Sequence, residues 1–229
     1  MLEAVDIRAG YGRIPVLNGV SLAVATGEAI GILGHNGMGK TTLLKALMGY
    51  LPLTQSSVRF DGTDITRELT HRRSRVGLAY VPQGREIFPF LTVAENLQMA
   101  ARDASNVDAI LSDFPSLKPL LARQGGSLSG GQQQILAIAR CMMVRPKCIL
   151  LDEPTEGIQP SIIEEITDML ARLRAKRRLA LVIVEQRLQF VADLADRVLV
   201  LQKGAILKEI AASALSNGTA FEEIVGMTG

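Results

Sequence analysis

One stretch constrains this chain more than any other. Gly34-His35-Asn36-Gly37-Met38-Gly39-Lys40-Thr41 fits the pattern G-x-x-x-x-G-K-[ST]. An apolar run at residues 29–33 enters it, and residues 41–51 leave it with helical spacing, which gives a strand–turn–helix unit. The glycines let the backbone curl so that successive N–H groups point inward at phosphate oxygens. The following helix offers its positive end to the same anion. The expected contacts to a nucleoside triphosphate are Gly34, His35, Asn36, Gly37, Met38, Gly39, Lys40, Thr41 and Thr42. Lys40 is expected at the β- and γ-phosphates and the Thr41 hydroxyl on Mg²⁺. His35 is a variable position of the loop with no catalytic part.

The surrounding pattern extends that unit into an α/β domain. Alternating residues 2–8 and 19–24 predict antiparallel strands. Residues 92–124 are helix-rich, end before Gly125-Gly126 and read as an inserted lobe. Strands are then expected at 148–151, 179–184 and 197–202, with helices at 161–175 and 188–195. Continuous apolar strands alternating with helices imply a mostly parallel sheet covered on both faces. One domain of 229 residues follows: a core of residues 1–91 and 125–229, carrying an N-terminal antiparallel β subdomain, and a helical lobe of residues 92–124. Residues 211–229 are expected to form short helices covering the sheet. His71 falls in what reads as a basic loop.

Composition excludes several classes. A net charge of +2 gives no basic surface for nucleic acid. Cys141 and Cys148 are not spaced as a metal cluster and read as small apolar residues. No apolar stretch reaches the roughly 18 residues that span a bilayer, and no basic-then-apolar leader opens the chain. The chain reads as cytosolic, serving a membrane only by docking onto another protein.

Ile149-Leu150-Leu151-Asp152-Glu153 is an apolar strand ending in two acids. Ligands of open α/β sheets bind at the carboxyl ends of strands. Paired acids there are expensive unless a cation compensates them. Asp152 is therefore the expected partner of Mg²⁺, and Glu153 the expected general base or orienter of an attacking water.

Between the loop and the acids lies Leu128-Ser129-Gly130-Gly131-Gln132. Here the chain resembles an ATP-binding cassette (ABC) ATPase, whose signature this pentapeptide is. Ser129, Gly130, Gly131 and Gln132 open a helix expected at residues 133–143, a second anion site. The resemblance implies that this element closes over the γ-phosphate held by an opposite subunit, with ATP sandwiched in a dimer. It also implies that Tyr11 stacks on adenine. Gln83 would meet Mg²⁺ and the attacking water while joining the core to the helical lobe. The family's D-loop aspartate is replaced by Gln159 and its switch histidine by Gln186. An amide can still donate to a γ-phosphate oxygen, so Gln186 is kept as a γ-phosphate sensor, though it cannot carry charge.

The runs Val81-Pro82-Gln83-Gly84-Arg85-Glu86-Ile87-Phe88-Pro89, Glu156-Gly157-Ile158-Gln159-Pro160-Ser161 and Val184-Glu185-Gln186 narrow the resemblance. They are similar to the short ATPase subunits of bacterial importers for branched-chain amino acids and for urea or short-chain amides. The run from Glu156 to Ser161 looks most like the urea type. The resemblance implies ATP and Mg²⁺ as cofactors and a second ATPase chain, the same or a longer one, as partner. Two membrane permeases, a periplasmic solute-binding protein and a place on the cytoplasmic membrane face are implied with them. The apolar run from Ile87 to Leu91 is expected either to anchor the permease or to pack into the helical lobe. The competing functions are a soluble ABC-type ATPase and a regulatory module uncoupled from transport. No sustained heptads and no second cassette appear, and Glu153 speaks for hydrolysis.

Overall fold

A computed structural model of the chain describes residues 1–53, 55–101 and 107–216. Two sheets organise it. The first is antiparallel, with strands in the order β2-β1-β4-β5. They are β1 Leu2–Tyr11, β2 Ile14–Val24, β4 Ser57–Phe60 and β5 Thr63–Asp64. The second has the order β10-β9-β3-β8-β7-β6. Its strands are β3 Ala29–Leu33, β6 Leu78–Val81, β7 Cys148–Asp152, β8 Ala180–Val184, β9 Arg197–Gln202 and β10 Ala205–Ala211. Pairing is parallel from β6 through β9, and only β10 runs antiparallel.

Sequence explains why these strands lie at the centre. Every residue of β3, β7 and β8 is buried, as their unbroken apolar runs require of strands covered on both faces. One face packs Ile30, Leu150 and Val182 against helix α1 (Lys40–Met48) and the antiparallel sheet through Leu43, Leu47, Ile7 and Phe60. The other packs Ile149, Leu151 and Ile183 against α5 (Gly130–Met142) and α6 (Pro160–Arg177). Each fully buried aliphatic side chain contributes about 1.5–3 kcal/mol of transfer free energy. That burial fixes where the strand ends stand.

The lobe is assembled from α3 (Val93–Ala100), α4 (Val107–Asp113) and a 3₁₀ turn at Pro115–Leu120. Thr92 and Glu95 form a reciprocal capping box at the start of α3. Leu97, Ile110, Phe114 and Leu117 share one core with Ile138 and Met142 of α5. Residues 102–106 of the expected lobe lie outside the described residues.

Several elements go beyond the sequence reading. β1 and β2 run longer than 2–8 and 19–24, meeting in a tight turn at residues 12–13. His71 lies on α2 (Thr70–Val76), not in a loop. This helix shows little apolar periodicity, and one residue holds it. Arg73, with 1% of its surface exposed, donates to the carbonyls of Ala46, Leu47, Thr66 and Glu68. Two of these carbonyls are in the last turn of α1, so α2 docks by capping the phosphate-loop helix. In the C-terminal region, β10 precedes a 3₁₀ turn at Ala212–Ser216; residues 217–229 of the expected short helices lie outside the described residues.

Candidate active site

The loop after β3 has the curl its glycines promise. Gly37 and Gly39 take φ of 80° and 102°, in the left-handed region open to glycine. The Lys40 side chain folds back over the loop. Its Nζ donates to the Gly34 carbonyl at 2.7 Å and the His35 carbonyl at 3.1 Å. It also lies 4.0 Å from the Glu153 carboxylate. Burial pushes the Lys40 ammonium below its ordinary value, and the charges of Glu153, Asp152 and Glu185 pull it back up.

Asp152 ends β7 with 1% of its surface exposed. Its two oxygens accept from hydroxyls, of Thr41 at 3.0 Å and of Tyr80 at 2.8 Å. Burial holds the Asp152 carboxyl above the usual carboxylate range, against the hydrogen bonds from Tyr80 and Thr41. The phenol of Tyr80 is itself pushed up by burial and by Asp152. A buried carboxylate beside a hydroxyl suits a hard divalent ion that keeps most of its waters. Among the described residues no cluster of three His, Cys, Asp or Glu side chains is placed to hold a metal. Burial pushes the Cys148 thiol up to about 12, in keeping with a small apolar role.

Glu153 starts the turn after β7 with φ of 46°. Its N–H is held by the Val184 carbonyl at 2.8 Å. An L-residue in that region is strained, here at the point where the chain leaves the sheet. The carboxylate faces a cleft of about 470 Å³ lined by Asn36, Lys40, Thr41, Gln83 and Gln186 among others. Two amides grip it. The Gln83 Nε2 donates to it at 3.2 Å and to Glu156 at 2.9 Å. The Gln186 Nε2 donates to it at 2.9 Å and to the Asn36 Oδ1 at 2.9 Å.

Thus the structure brings together residues of the phosphate loop with Gln83, Asp152, Glu153 and Gln186. Thr42 lines the same cleft. Tyr11 lines an adjoining hollow of about 450 Å³ with Thr41, Lys45, Tyr50 and Tyr80. Ser129, Gly130, Gly131 and Gln132 line neither. They open α5, where Ser129 and Gln132 cap each other. A Cβ on Gly131 would stand 2.5 Å from the Ile162 Cγ2, so that glycine permits close packing against α6. Arg85 links this end to the cleft rim, reaching Gln133 at 3.4 Å and the Glu156 carbonyl at 3.3 Å.

Sequence reasoning passed over Tyr80, Glu156 and Glu185. Tyr80 had no signal, because the strand that carries it shows only through its pairing with β7. Glu156 and Glu185 had none, because their partners lie 73 and 30 residues away.

Comparison with known proteins gives a consistent picture. The family described as "ABC transporter" matches residues 17–156. The high-affinity branched-chain amino acid transport ATP-binding protein BraG of Pseudomonas aeruginosa is 38% identical over 221 residues, covering 94% of each chain. A nucleotide-free ATP-binding cassette from an ABC transporter superposes with a TM-score of 0.89 at 27% identity, covering 98% of this chain and 96% of that one. A dimeric ATP-binding cassette in a post-hydrolysis state, bound to ADP and phosphate, matches with a TM-score of 0.81 at 25% identity. That alignment covers 93% of this chain and 99% of the cassette.

Proposed function

The chain belongs to the ABC transporter family, and from that premise we propose that it is the ATP-hydrolysing subunit of an importer for branched-chain amino acids or for urea and short-chain amides. The observation that carries the hydrolytic reading is Glu153, aimed into the phosphate cleft and held from both sides by the amides of Gln83 and Gln186. Substrate ATP lies with its phosphates on the Gly34–Thr42 backbone and Lys40, and its base against Tyr11. Thr41 and Asp152, together with Gln83, would hold Mg²⁺. When bound, that ion would supply neutralisation of phosphate charge.

The residues of the chain perform the rest. Lys40 neutralises phosphate oxygens that develop charge. Glu153 accepts a hydrogen bond from water, orients it in line with the γ-phosphate and takes its proton. Gln186 stands between Asn36 and Glu153, and its amide turns from them to a γ-phosphate oxygen when one is present. Gln83 connects the cleft to the lobe, because the segment that follows it is pinned there. Asn96, wholly buried, bonds the Phe88 backbone at both its N–H and C=O and the carbonyls of Leu91 and Thr92.

The signature of a second cassette, this chain or a longer relative, closes the site from outside. The pinned segment also leaves Phe90 87% exposed and Phe88 40% exposed, with the Arg140 guanidinium over the Phe88 ring, while Ile87 packs into the lobe. Such an apolar surface suits docking onto a membrane permease on its cytoplasmic face. Among the described residues no helix is long and apolar enough to cross a membrane itself.

The test is Mg²⁺-dependent ATP turnover by the purified chain, alone, with a longer ATPase chain, and with co-expressed permease. Turnover stimulated by the permease supports transport coupling. Equal rates with and without it, together with undiminished co-purification of a Phe88→Ala variant, count against it.

A further inference from the structure

Glu185 has 4% of its surface exposed, in the turn that leaves β8. One oxygen, Oε2, accepts from the Thr155 backbone N–H at 3.1 Å and from its hydroxyl at 2.7 Å. The other, Oε1, accepts from the backbone N–H of Gln186 at 2.8 Å and of Arg187 at 3.3 Å. A buried carboxylate is retained only where donors replace its water, and here the replacement is divided evenly between two loops.

Those loops carry the two halves of the γ-phosphate machinery. Thr155 lies two residues after Glu153 and one before Glu156, which takes the Gln83 amide. Gln186 reaches Glu153 and Asn36 across the cleft. We propose that Glu185 is a positioning residue that clasps Gln186 to the turn of residues 153–156, so that the sensing amide and the hydrolytic carboxylate move as one body. The proposal rests on the reading of Gln186 as the γ-phosphate sensor. In a chain with glutamine in place of histidine at the sensing position, the uncharged amide has no charge–charge attraction to hold it, and backbone anchoring supplies the orientation.

A carboxylate does this and an amide does not. A Glu185→Gln side chain has the same shape but a single oxygen, and its NH₂ must face N–H or O–H donors of one loop or the other. Either orientation sets the NH₂ against backbone N–H groups, of Thr155 or of Gln186 and Arg187, and weakens that side of the clasp. The experiment compares wild type, Glu185→Gln, Thr155→Val and Gln186→Ala by equilibrium binding of a non-hydrolysable ATP analogue and of ADP, alongside turnover and thermal midpoint.

The expected result is a roughly tenfold loss of the analogue-over-ADP preference in Glu185→Gln, matching Gln186→Ala, since hydrogen bonds to a charged acceptor are of that order. ADP affinity stays within about twofold, because the Lys40 loop is untouched. Thr155→Val, which removes the hydroxyl but keeps the N–H, shows a smaller loss in the same direction. A Gln186→Ala variant with unchanged preference defeats the sensor reading itself. A reduced preference in Gln186→Ala with an unchanged one in Glu185→Gln defeats the clasp alone. If Glu185→Gln does not fold, Thr155→Val decides: an undiminished preference there overturns the proposal.

Discussion

The cleft at the ends of β7 and β8 and the signature at the start of α5, which we read as two anion-directed regions, are built in opposite ways. In the cleft, Lys40, Gln83, the adjacent pair Asp152 and Glu153, and Gln186 come from four separate segments and meet by tertiary packing. Their charges are close and unevenly compensated. At the signature, Ser129 and Gln132 satisfy each other locally, Gly130 and Gly131 bring no side chain, and the backbone N–H groups of the first turn are what is offered. The first region is a pocket without a roof. The second is a helix start that lines neither hollow of its own chain. Each has what the other lacks, which is the physical basis for reading them as two halves of one site in a dimer.

The sharpest way to break that comparison is Glu153→Gln. It keeps the shape of the cleft and removes the base, so turnover should fall by about 100-fold or more. ATP should then hold two copies together, seen as a dimer on size-exclusion chromatography in ATP and a monomer in ADP. A monomer in both, with the same loss of turnover, leaves the hydrolytic site standing but disposes of one shared between two copies of this chain.

At the signature end, Gly131→Ala should lower stability by about 1–3 kcal/mol through its contact with Ile162. Calorimetry would register this without ATP present. Ser129→Ala is milder in the isolated chain, about 1 kcal/mol for a lost cap, yet it should weaken the ATP-induced dimer of the Glu153→Gln background. If it lowers the melting point and leaves that dimer intact, the cap serves only its own helix.

The smallest effect belongs to the bond between lobe and core. Asp113, at the end of α4, receives ion pairs from Lys176 and Arg177 at the end of α6. Burial alone would raise its carboxyl, but the hydrogen bonds from Lys176 and Arg177 outweigh it and hold the group below the usual carboxylate range. A depressed pKa contributes stability above the unfolded value, and that contribution disappears as pH falls through the folded one. Asp113→Asn should therefore cost no more than about 1 kcal/mol at neutral pH, given partial solvent screening. At acid pH, below the folded value, the difference from wild type should vanish. An equal deficit at both pH values, by urea unfolding, would assign the effect to packing instead.

The legible parts of the molecule share a physical cause. β3, β7 and β8 show in the sequence because strands buried on both faces need unbroken apolar runs. The phosphate loop shows because its backbone demands glycine at fixed offsets. α2 does not show, because it is held by the buried guanidinium of Arg73 and not by an apolar stripe. β6 is four residues of ordinary composition, placed as a strand by its pairing with β7.

What the sequence determined on its own is the set of local elements whose chemistry sits within a few residues: the phosphate loop, the acidic strand end, the self-capped signature helix and the parallel-sheet class. What only the tertiary structure decided is which side chains meet across long separations. Tyr80 closes on Asp152, Glu156 takes Gln83, and Glu185 joins Thr155 to Gln186. The reason is that a turn or a cap is selected by backbone geometry written into adjacent residues. A hydrogen bond between loops 30 or 73 residues apart exists only once the buried strands have fixed where each loop begins.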